Sequence, residues 1–381
     1  MDMVVPRYGV GTLAEVVPSL LAGFGVPGMT DVLGVAGPTR VCLLLIDGLG
    51  WRLLRDHADA APFLAGLGGG PIAAGFPATT ATSIASLATG TPSGGHGIVG
   101  YSFAARGPEG EELLNALRWH RHGAGESVDL RSVLVPEEVQ PGATALERAA
   151  AAGVDVRFVV PREQTGSGLS RAVLRGGDFR PVLGLGDLVS HTLGAVREGD
   201  RTFCYAYHAD LDTLGHVYGP GSDPWRAQLT FVDRLCAAIA EGLPSGSALV
   251  VTADHGMVEP ADRVDFDTDP VLREGVRLLG GEARARHVYT DAPDEVRARW
   301  SAVLGERAVV LSREEAVAAG WFGPGVAGHV LPRIGDLVVA MRDRAAVVRS
   351  AAEPLLSALP GHHGSLTEAE QLVPLLVHPA S

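Results

Sequence analysis

The stretch RVCLLLIDGLG, residues 40–50, is an unbroken apolar run that stops at Asp47-Gly48. A run this short, with no polar alternation, reads as a strand buried on both faces and carrying a carboxylate at its C-terminal end. Two later segments repeat the design. FCYAY, residues 203–207, is followed by His208, Asp210 and Asp212, and ALVVT, residues 248–252, is followed by Asp254. Ligands of open parallel sheets gather beyond the carboxyl ends of the strands, so these three endings are expected to converge. VRFVV, 156–160, and DLVVA, 336–340, are further candidate strands. Helical patterns lie between them, over 51–67 and over 225–239, where Leu229, Val232, Leu235, Cys236 and Ile239 form one apolar face. The alternation predicts an α/β fold, a mostly parallel sheet flanked by helices on both faces.

Composition agrees with one large domain spanning 1–381. Hydrophobic residues make up 46% of the chain, enough for a sizeable core, and charged residues 20%. The formal charge of −13 argues against a general nucleic-acid-binding surface, because polyanions need basic patches. A small anionic substrate stays compatible, since a bound metal reverses the field locally. Cys42, Cys204 and Cys236 sit in apolar runs and read as inert buried thiols, without a disulfide framework. No stretch reaches the roughly 18 apolar residues of a membrane span, and the expected setting is soluble and cytoplasmic. Two segments look like insertions over or beside the site: about 102–141, rich in Gly, Glu, Arg and His, and about 259–333, with an acidic stretch followed by Arg-rich segments.

The chemistry is carried by residues far apart in the chain. DLDTLGH holds Asp212 and His216 four residues apart, and the intervening Gly215 suggests a tight loop. Asp254-His255 follows a buried strand directly, a costly place for two titratable groups unless they are solvated or coordinated. Gly361-His362-His363-Gly364 offers two imidazoles, one as a ligand and one as a surface or supporting group. With Asp47, these residue types suit two zinc ions, three ligands to each, leaving a position on each ion for a nucleophile or water. Histidines are poor ligands for calcium or magnesium. FPATTATS, residues 76–83, leads into a helix with a stop at Gly90, and a hydroxyl at that helix start lies where an anion is favoured.

In their order along the chain these residues resemble the alkaline phosphatase superfamily, and within it the nucleotide pyrophosphatase/phosphodiesterase branch. The branch's F-P-x-x-T pattern with a later T-G matches Phe76, Pro77, Thr80, Thr89 and Gly90. Its D-x-x-G-H-x-x-G-P matches Asp212, Gly215, His216, Gly219 and Pro220, and its A-D-H-G-M matches 253–257. Its R-I-G-D matches 333–336, and its terminal H-G matches His363 and Gly364. The resemblance implies one zinc on Asp212, His216 and His363, and a second on Asp47, Asp254, His255 and the Thr80 oxygen. Thr80 is then the nucleophile, with Thr79 and Thr82 as neighbours. Two positions depart from the pattern. Ser83 stands where the branch has an Asn that holds a phosphoryl oxygen, so its hydroxyl is the expected substitute. Ala81 stands where nucleotide-hydrolysing members have an aromatic residue, so Tyr101, Phe103 or Trp119 would have to supply any stacking surface.

The implied activity is zinc-dependent hydrolysis of a small phosphoester or nucleotide-like substrate, as a phosphodiesterase or nucleotide pyrophosphatase, through a covalent phospho-threonine. A phosphomonoesterase or phosphonate hydrolase with the same two-metal site is the alternative. A monoester would want an added cation, for which Arg118 and Arg121 of the first insertion are candidates. A catalytically silent binding protein on this fold is the reading from another class. No C-x-P-x-R or S-x-P-x-R stands at the nucleophile, which argues against a sulfatase.

Overall fold

The computed structural model describes residues 3–107 and 110–380. Its centre is a seven-stranded sheet in the order Gly68–Ala73, Leu372–Pro379, Ala248–Thr252, Arg40–Ile46, Thr202–His208, Asp155–Pro161 and Asp178–Val182. The five strands from Ala248–Thr252 to Asp178–Val182 run parallel, and the C-terminal strand Leu372–Pro379 joins them antiparallel. Arg40–Ile46 lies in the middle, with Cys42 level with Cys204 on one side and Leu249 on the other. Residues 41–46 are all buried in the main apolar cluster, which is why the run lacks alternation. All three cysteines are free and buried, Cys42 and Cys204 in the sheet and Cys236 in helix Asp223–Gly242.

The helical expectation over 51–67 divides into Trp51–Asp56 and Pro62–Gly66, with Pro62 at the favoured first position of the second helix. The pattern over 225–239 lies within helix Asp223–Gly242, whose buried residues include Leu229, Val232, Leu235, Cys236 and Ile239. The first inserted segment holds a three-stranded antiparallel sheet of Ser102–Gly107, Gly110–Asn115 and His120–Arg121.

The second inserted segment is larger than expected. Strands Leu278–Glu282, Ala285–Tyr289, Leu337–Met341 and Ala308–Ser312 form a four-stranded antiparallel sheet. Helix Pro293–Leu304 packs on that sheet, and Asp262–Asp265 pairs with Ala345–Val348 beside it. This cap has its own apolar cluster, including Trp300, Leu272, Val288 and Met341. The 336–340 strand therefore belongs to the cap and not to the central sheet, and the cap runs on past 333. Periodicity marks a buried strand but not the sheet that receives it.

Candidate metal centre and active site

Three parallel strands deliver the acidic residues to one end of the sheet. Asp47 follows Arg40–Ile46, Asp254 follows Ala248–Thr252, and Asp212 comes two residues into the helix Asp210–Tyr218 that follows Thr202–His208. That helix replaces the expected tight loop, and its i,i+4 spacing puts Asp212 and His216 on one face. Gly215 is needed for close packing: a Cβ there would come 2.6 Å from the Met257 sulfur, and one on Gly361 would come 2.3 Å from the Gly215 carbonyl oxygen. Gly48, with φ +73°, leaves room for Asp212, whose Cα would lie 2.9 Å from a Cβ at that position. Glycines thus let three segments meet closely enough for their side chains to form one cluster.

The imidazoles are oriented by backbone carbonyls. His216 Nδ1 donates to Gly361 O at 2.8 Å, His255 Nδ1 to Gly256 O at 3.0 Å, and His363 Nδ1 to Ala78 O at 2.9 Å. A carbonyl only accepts, so each ring carries its proton on Nδ1 and turns the Nε2 lone pair inward. His363 Nε2 lies 3.3 Å from His216 Nε2, and the His255 and His363 rings stack at 3.5 Å. Two lone pairs this close repel unless a cation sits near both.

The carboxylates complete the cluster. Asp212 Oδ2 is 3.4 Å from His216 Nε2, Asp254 Oδ2 is 3.4 Å from His255 Nε2, and Asp47 Oδ1 is 3.5 Å from the same nitrogen. Asp254 Oδ1 accepts from the Gly48 and His255 amides, both at 3.0 Å. Tyr207 donates its hydroxyl to Asp47 Oδ2. Asp47 Oδ1, Asp212 Oδ1 and Asp254 Oδ2 are buried and have no hydrogen-bond partner among the described residues. Burial, then the charges of Asp254 and Asp212, pushes the Asp47 carboxyl well above its ordinary range. Burial, then His255 and His216, pushes His363 well below the ordinary imidazole range. Ligand atoms of Asp212, His216 and His363 lie within 4.8 Å of one another, and so do those of Asp47, Asp212 and His255. These donors fit a pair of divalent cations. Asp212 takes part in both groups, a central position that spacing alone did not predict.

Thr80 is the first residue of helix Thr80–Thr89, which ends at Gly90 with φ 70°. Its Oγ1 lies 3.2 Å from His255 Nε2 and opens to the cleft. Thr82 turns away and donates to Ile98 O at 2.9 Å. Ser83, the expected phosphoryl-oxygen donor, gives its one hydroxyl proton to Asp254 O at 2.7 Å. His362 lies beside the cluster, with Nε2 donating to Leu359 O at 3.0 Å, and burial then His216 lowers its pKa to about 3.

The cleft, of about 370 Å³, is lined by Thr79, Thr80, Asp212, His216, His362 and His363 at its base, with Tyr101, Leu117, Arg118, Thr213, Val217, Glu282, Ala283, Glu353, Leu356, Ser357 and Leu359 around them. Of the three candidate aromatics only Tyr101 is present. Phe103 and Trp119 are fully buried. Trp119 donates its indole N–H to Leu134 O at 2.7 Å, and it packs so closely on Gly168 that a Cβ there would come 2.2 Å from its ring. Arg333 stands 5.8 Å over the Phe103 ring. Both aromatics hold the first insertion to the body of the fold. Arg118 reaches the cleft, whereas Arg121 turns to Glu112 at 2.6 Å. Glu282 and Glu353 were not anticipated. They enter from segments without motif character, and only their place in the fold brings them to the site. Burial pushes the Glu282 carboxyl well above its ordinary range, opposed by the Thr79 hydroxyl and the Arg286 charge.

The sequence profile of the family described as type I phosphodiesterase / nucleotide pyrophosphatase matches residues 41–366. Murine ectonucleotide pyrophosphatase/phosphodiesterase 5 superposes with a TM-score of 0.66 at 17% identity, over 89% of this chain and 88% of that one. Phosphonoacetate hydrolase from Sinorhizobium meliloti 1021, solved in complex with phosphonoacetate, superposes with a TM-score of 0.63 at 22% identity, over 90% of each chain. At these identities the superpositions speak for the fold. A phosphopentomutase from Anaeromyxobacter dehalogenans is 28% identical over 157 residues, which span 40% of this chain and 38% of that protein. No helix among the described residues is long and apolar enough to cross a membrane. With the profile matched from the first central strand to beyond His363, the chain belongs to the type I phosphodiesterase / nucleotide pyrophosphatase family.

Proposed function

We propose that the chain is a zinc-dependent phosphoric ester hydrolase, a phosphodiesterase or nucleotide pyrophosphatase acting through a covalent phospho-threonine on Thr80. One observation carries this reading: three imidazole Nε2 atoms and three unpartnered carboxylate oxygens converge beside the Thr80 hydroxyl. Mixed His and Asp donors favour zinc over harder cations. Asp212, His216 and His363 would hold one ion, and Asp47, Asp254, His255 and Thr80 the other. Two such ions, when bound, supply Lewis acidity at the hydroxyl and charge balance for the displacement.

The chain's own residues do the rest. Thr80 Oγ forms a bond to phosphorus as the bond to the leaving oxygen breaks, and a water later displaces Thr80 and returns the proton lost in the first step. Helix Thr80–Thr89 holds that oxygen fixed at its positive end. Tyr101, Leu117, Val217, Leu356 and Leu359 offer apolar surface to the rest of a small phosphoester.

The test is a panel of bis-p-nitrophenyl phosphate, a nucleoside p-nitrophenyl phosphate and p-nitrophenyl phosphate, run on native, chelated and zinc-restored protein. Chelation is expected to abolish turnover and zinc to restore it, with the diesters showing the higher kcat/KM. Full activity after metal removal rules the mechanism out. Arg118 supports a second reading, as a phosphomonoesterase or phosphonate hydrolase. It lines the cleft without a side-chain ion pair among the described residues, and so is available to an extra anionic oxygen. A monoester preference that Arg118→Ala removes would favour that reading.

A further inference from the structure

The cleft holds two carboxylates that the metal cluster does not use, Glu353 and Glu282, and of these Glu282 keeps a buried oxygen without a partner among the described residues. Glu282 ends the cap strand Leu278–Glu282 and opens the tight turn to Ala285–Tyr289. Gly281, with φ +80°, makes that turn possible, since a Cβ there would lie 2.0 Å from the Ala285 carbonyl oxygen. The carboxyl then rests over Gly364, where a Cβ would be 3.0 Å from Glu282 Oε1. A rigid hairpin and a missing side chain thus carry this group from the cap to the residue beside His363.

The Thr79 hydroxyl faces the Glu282 carboxyl and opposes its upward shift, but it leaves Oε1 without a partner among the described residues, and the other nearby donors are engaged elsewhere. His363 Nδ1 is 3.5 Å from Glu282 Oε2, but its proton goes to Ala78 O at 2.9 Å. Arg286 gives its guanidinium hydrogens to Val347 O at 2.9 Å and 3.0 Å and to Glu353 at 2.9 Å and 3.1 Å. Glu353 is further met by His122 at 2.9 Å, so the other carboxylate of the cleft is neutralised. Glu282 Oε1 is buried and has no hydrogen-bond partner among the described residues. A buried acceptor of this kind calls for a donor from outside the chain.

Building on the hydrolase reading above, we infer that Glu282 receives the protonated primary amine of the substrate, so that the preferred substrate is a phosphoric ester bearing an amino group a short chain away from phosphorus. An ammonium supplies both what Oε1 lacks, an N–H donor, and what Glu282 lacks, a countercharge. A hydroxyl would supply only the first. Thr80 and Glu282 line the same cleft of about 370 Å³, a volume small enough for one small molecule to meet both.

The deciding experiment is calorimetry on zinc-loaded Thr80→Ala protein with phosphoethanolamine, phosphocholine and ethyl phosphate, repeated after adding Glu282→Gln. Phosphoethanolamine is expected to bind about tenfold tighter than ethyl phosphate, and the Gln change to bring the two together. Phosphocholine, which has no N–H, should fall well short of phosphoethanolamine. Zinc content should be unchanged by the Gln substitution. Equal binding of phosphoethanolamine and ethyl phosphate overturns the inference, as does phosphocholine matching phosphoethanolamine. A loss of zinc, or an equal weakening of all three ligands, would make Glu282 a metal or His363 support and would also overturn it. Absence of turnover by wild-type protein on every ester defeats the hydrolase reading separately, because the binding ratios do not depend on turnover.

Discussion

At the strand ends of the central sheet, Asp47, Asp212 and Asp254 each keep a buried oxygen that no donor among the described residues meets. In the cap the buried arginines are matched instead. Arg284 gives two hydrogens to Glu370, at 3.0 Å and 2.6 Å, and Arg286 is held by Glu353 and the Val347 carbonyl. Glu370 also accepts from the Ser365 amide at 3.0 Å and the Thr367 hydroxyl at 2.5 Å. Both regions take charge out of water, which is costly in either case. The cap offsets that cost inside the protein and gains a fixed orientation over the sheet, because Arg284 lies in the cap and Glu370 outside it. The strand ends leave the cost standing until something binds. Unmatched burial of charge marks the working surface, and matched burial marks the scaffold.

The largest effect should come from the working surface. Thr80→Ala is expected to reduce kcat by several powers of ten, equivalent to several kcal/mol of barrier, with circular dichroism near native and at least one zinc retained. Thr82→Ala, which loses only a bond to the Ile98 carbonyl, should stay within about tenfold. If Thr82→Ala is the inactive variant, the nucleophile is misassigned.

The matched region should respond in stability. Glu370→Gln leaves the Arg284 guanidinium buried without its countercharge and is expected to cost ~3–5 kcal/mol in denaturant unfolding. The double change Arg284→Met with Glu370→Leu removes both charges and should recover most of that loss. A single variant as stable as wild type would mean that the pair does not anchor the cap.

Acid should expose two buried histidines. Burial, then Arg333, holds His96 at about 3, and burial holds His287 at about 4, both down from 6.5. Their Nδ1 atoms accept from the Ile98 and Gly335 amides at 3.1 Å, so the fold keeps them neutral. Below pH 6.5 the unfolded chain takes up protons that the folded chain refuses, so stability falls as pH drops, toward about 4 for His287 and about 3 for His96. The slope is ~1.4 kcal/mol per pH unit for each histidine. His96→Gln should make the fall between pH 6 and pH 4.5 shallower by about one such increment per unit. An unchanged slope would show that His96 protonates in the fold.

The smallest effect has the opposite sign from ordinary mutations. In chelator, Asp47→Asn should raise stability by ~0.5–2 kcal/mol, because it removes one of three crowded carboxylates. With zinc present the same change should lower the melting temperature, through weakened binding. Destabilisation under both conditions would show that Tyr207 and the neighbouring groups already satisfy Asp47.

Much of the working surface was readable in the chain. Asp47 and Asp254 follow apolar runs that can only be buried strands, so their positions at one sheet end follow from pattern alone. The spacing of Asp212 and His216 points to one site, but Gly215 suggests a loop, whereas it sits in a helix where it admits Met257 and Gly361. Trp119 and Phe103 could not be separated from Tyr101 by type, because an aromatic ring packs and stacks with the same chemistry. Their neighbours decided it: Gly168 and Arg333 for the buried pair, the open cleft for Tyr101.

Read without the fold, the chain marks four of the five parallel central strands, the helix that starts at Thr80 and the residue types of the proposed metal site. Each of these depends on local order: apolar runs, a helix start with its glycine stop, and a few fixed spacings. Tertiary structure alone decided that Ser83 spends its proton on the Asp254 carbonyl, that Arg118 faces the cleft while Arg121 does not, and that Glu282 reaches His363. Those outcomes depend on how the cap and first insertion settle on the sheet. That docking is set by contacts between residues far apart in the chain, such as Arg284 with Glu370, which no local pattern encodes.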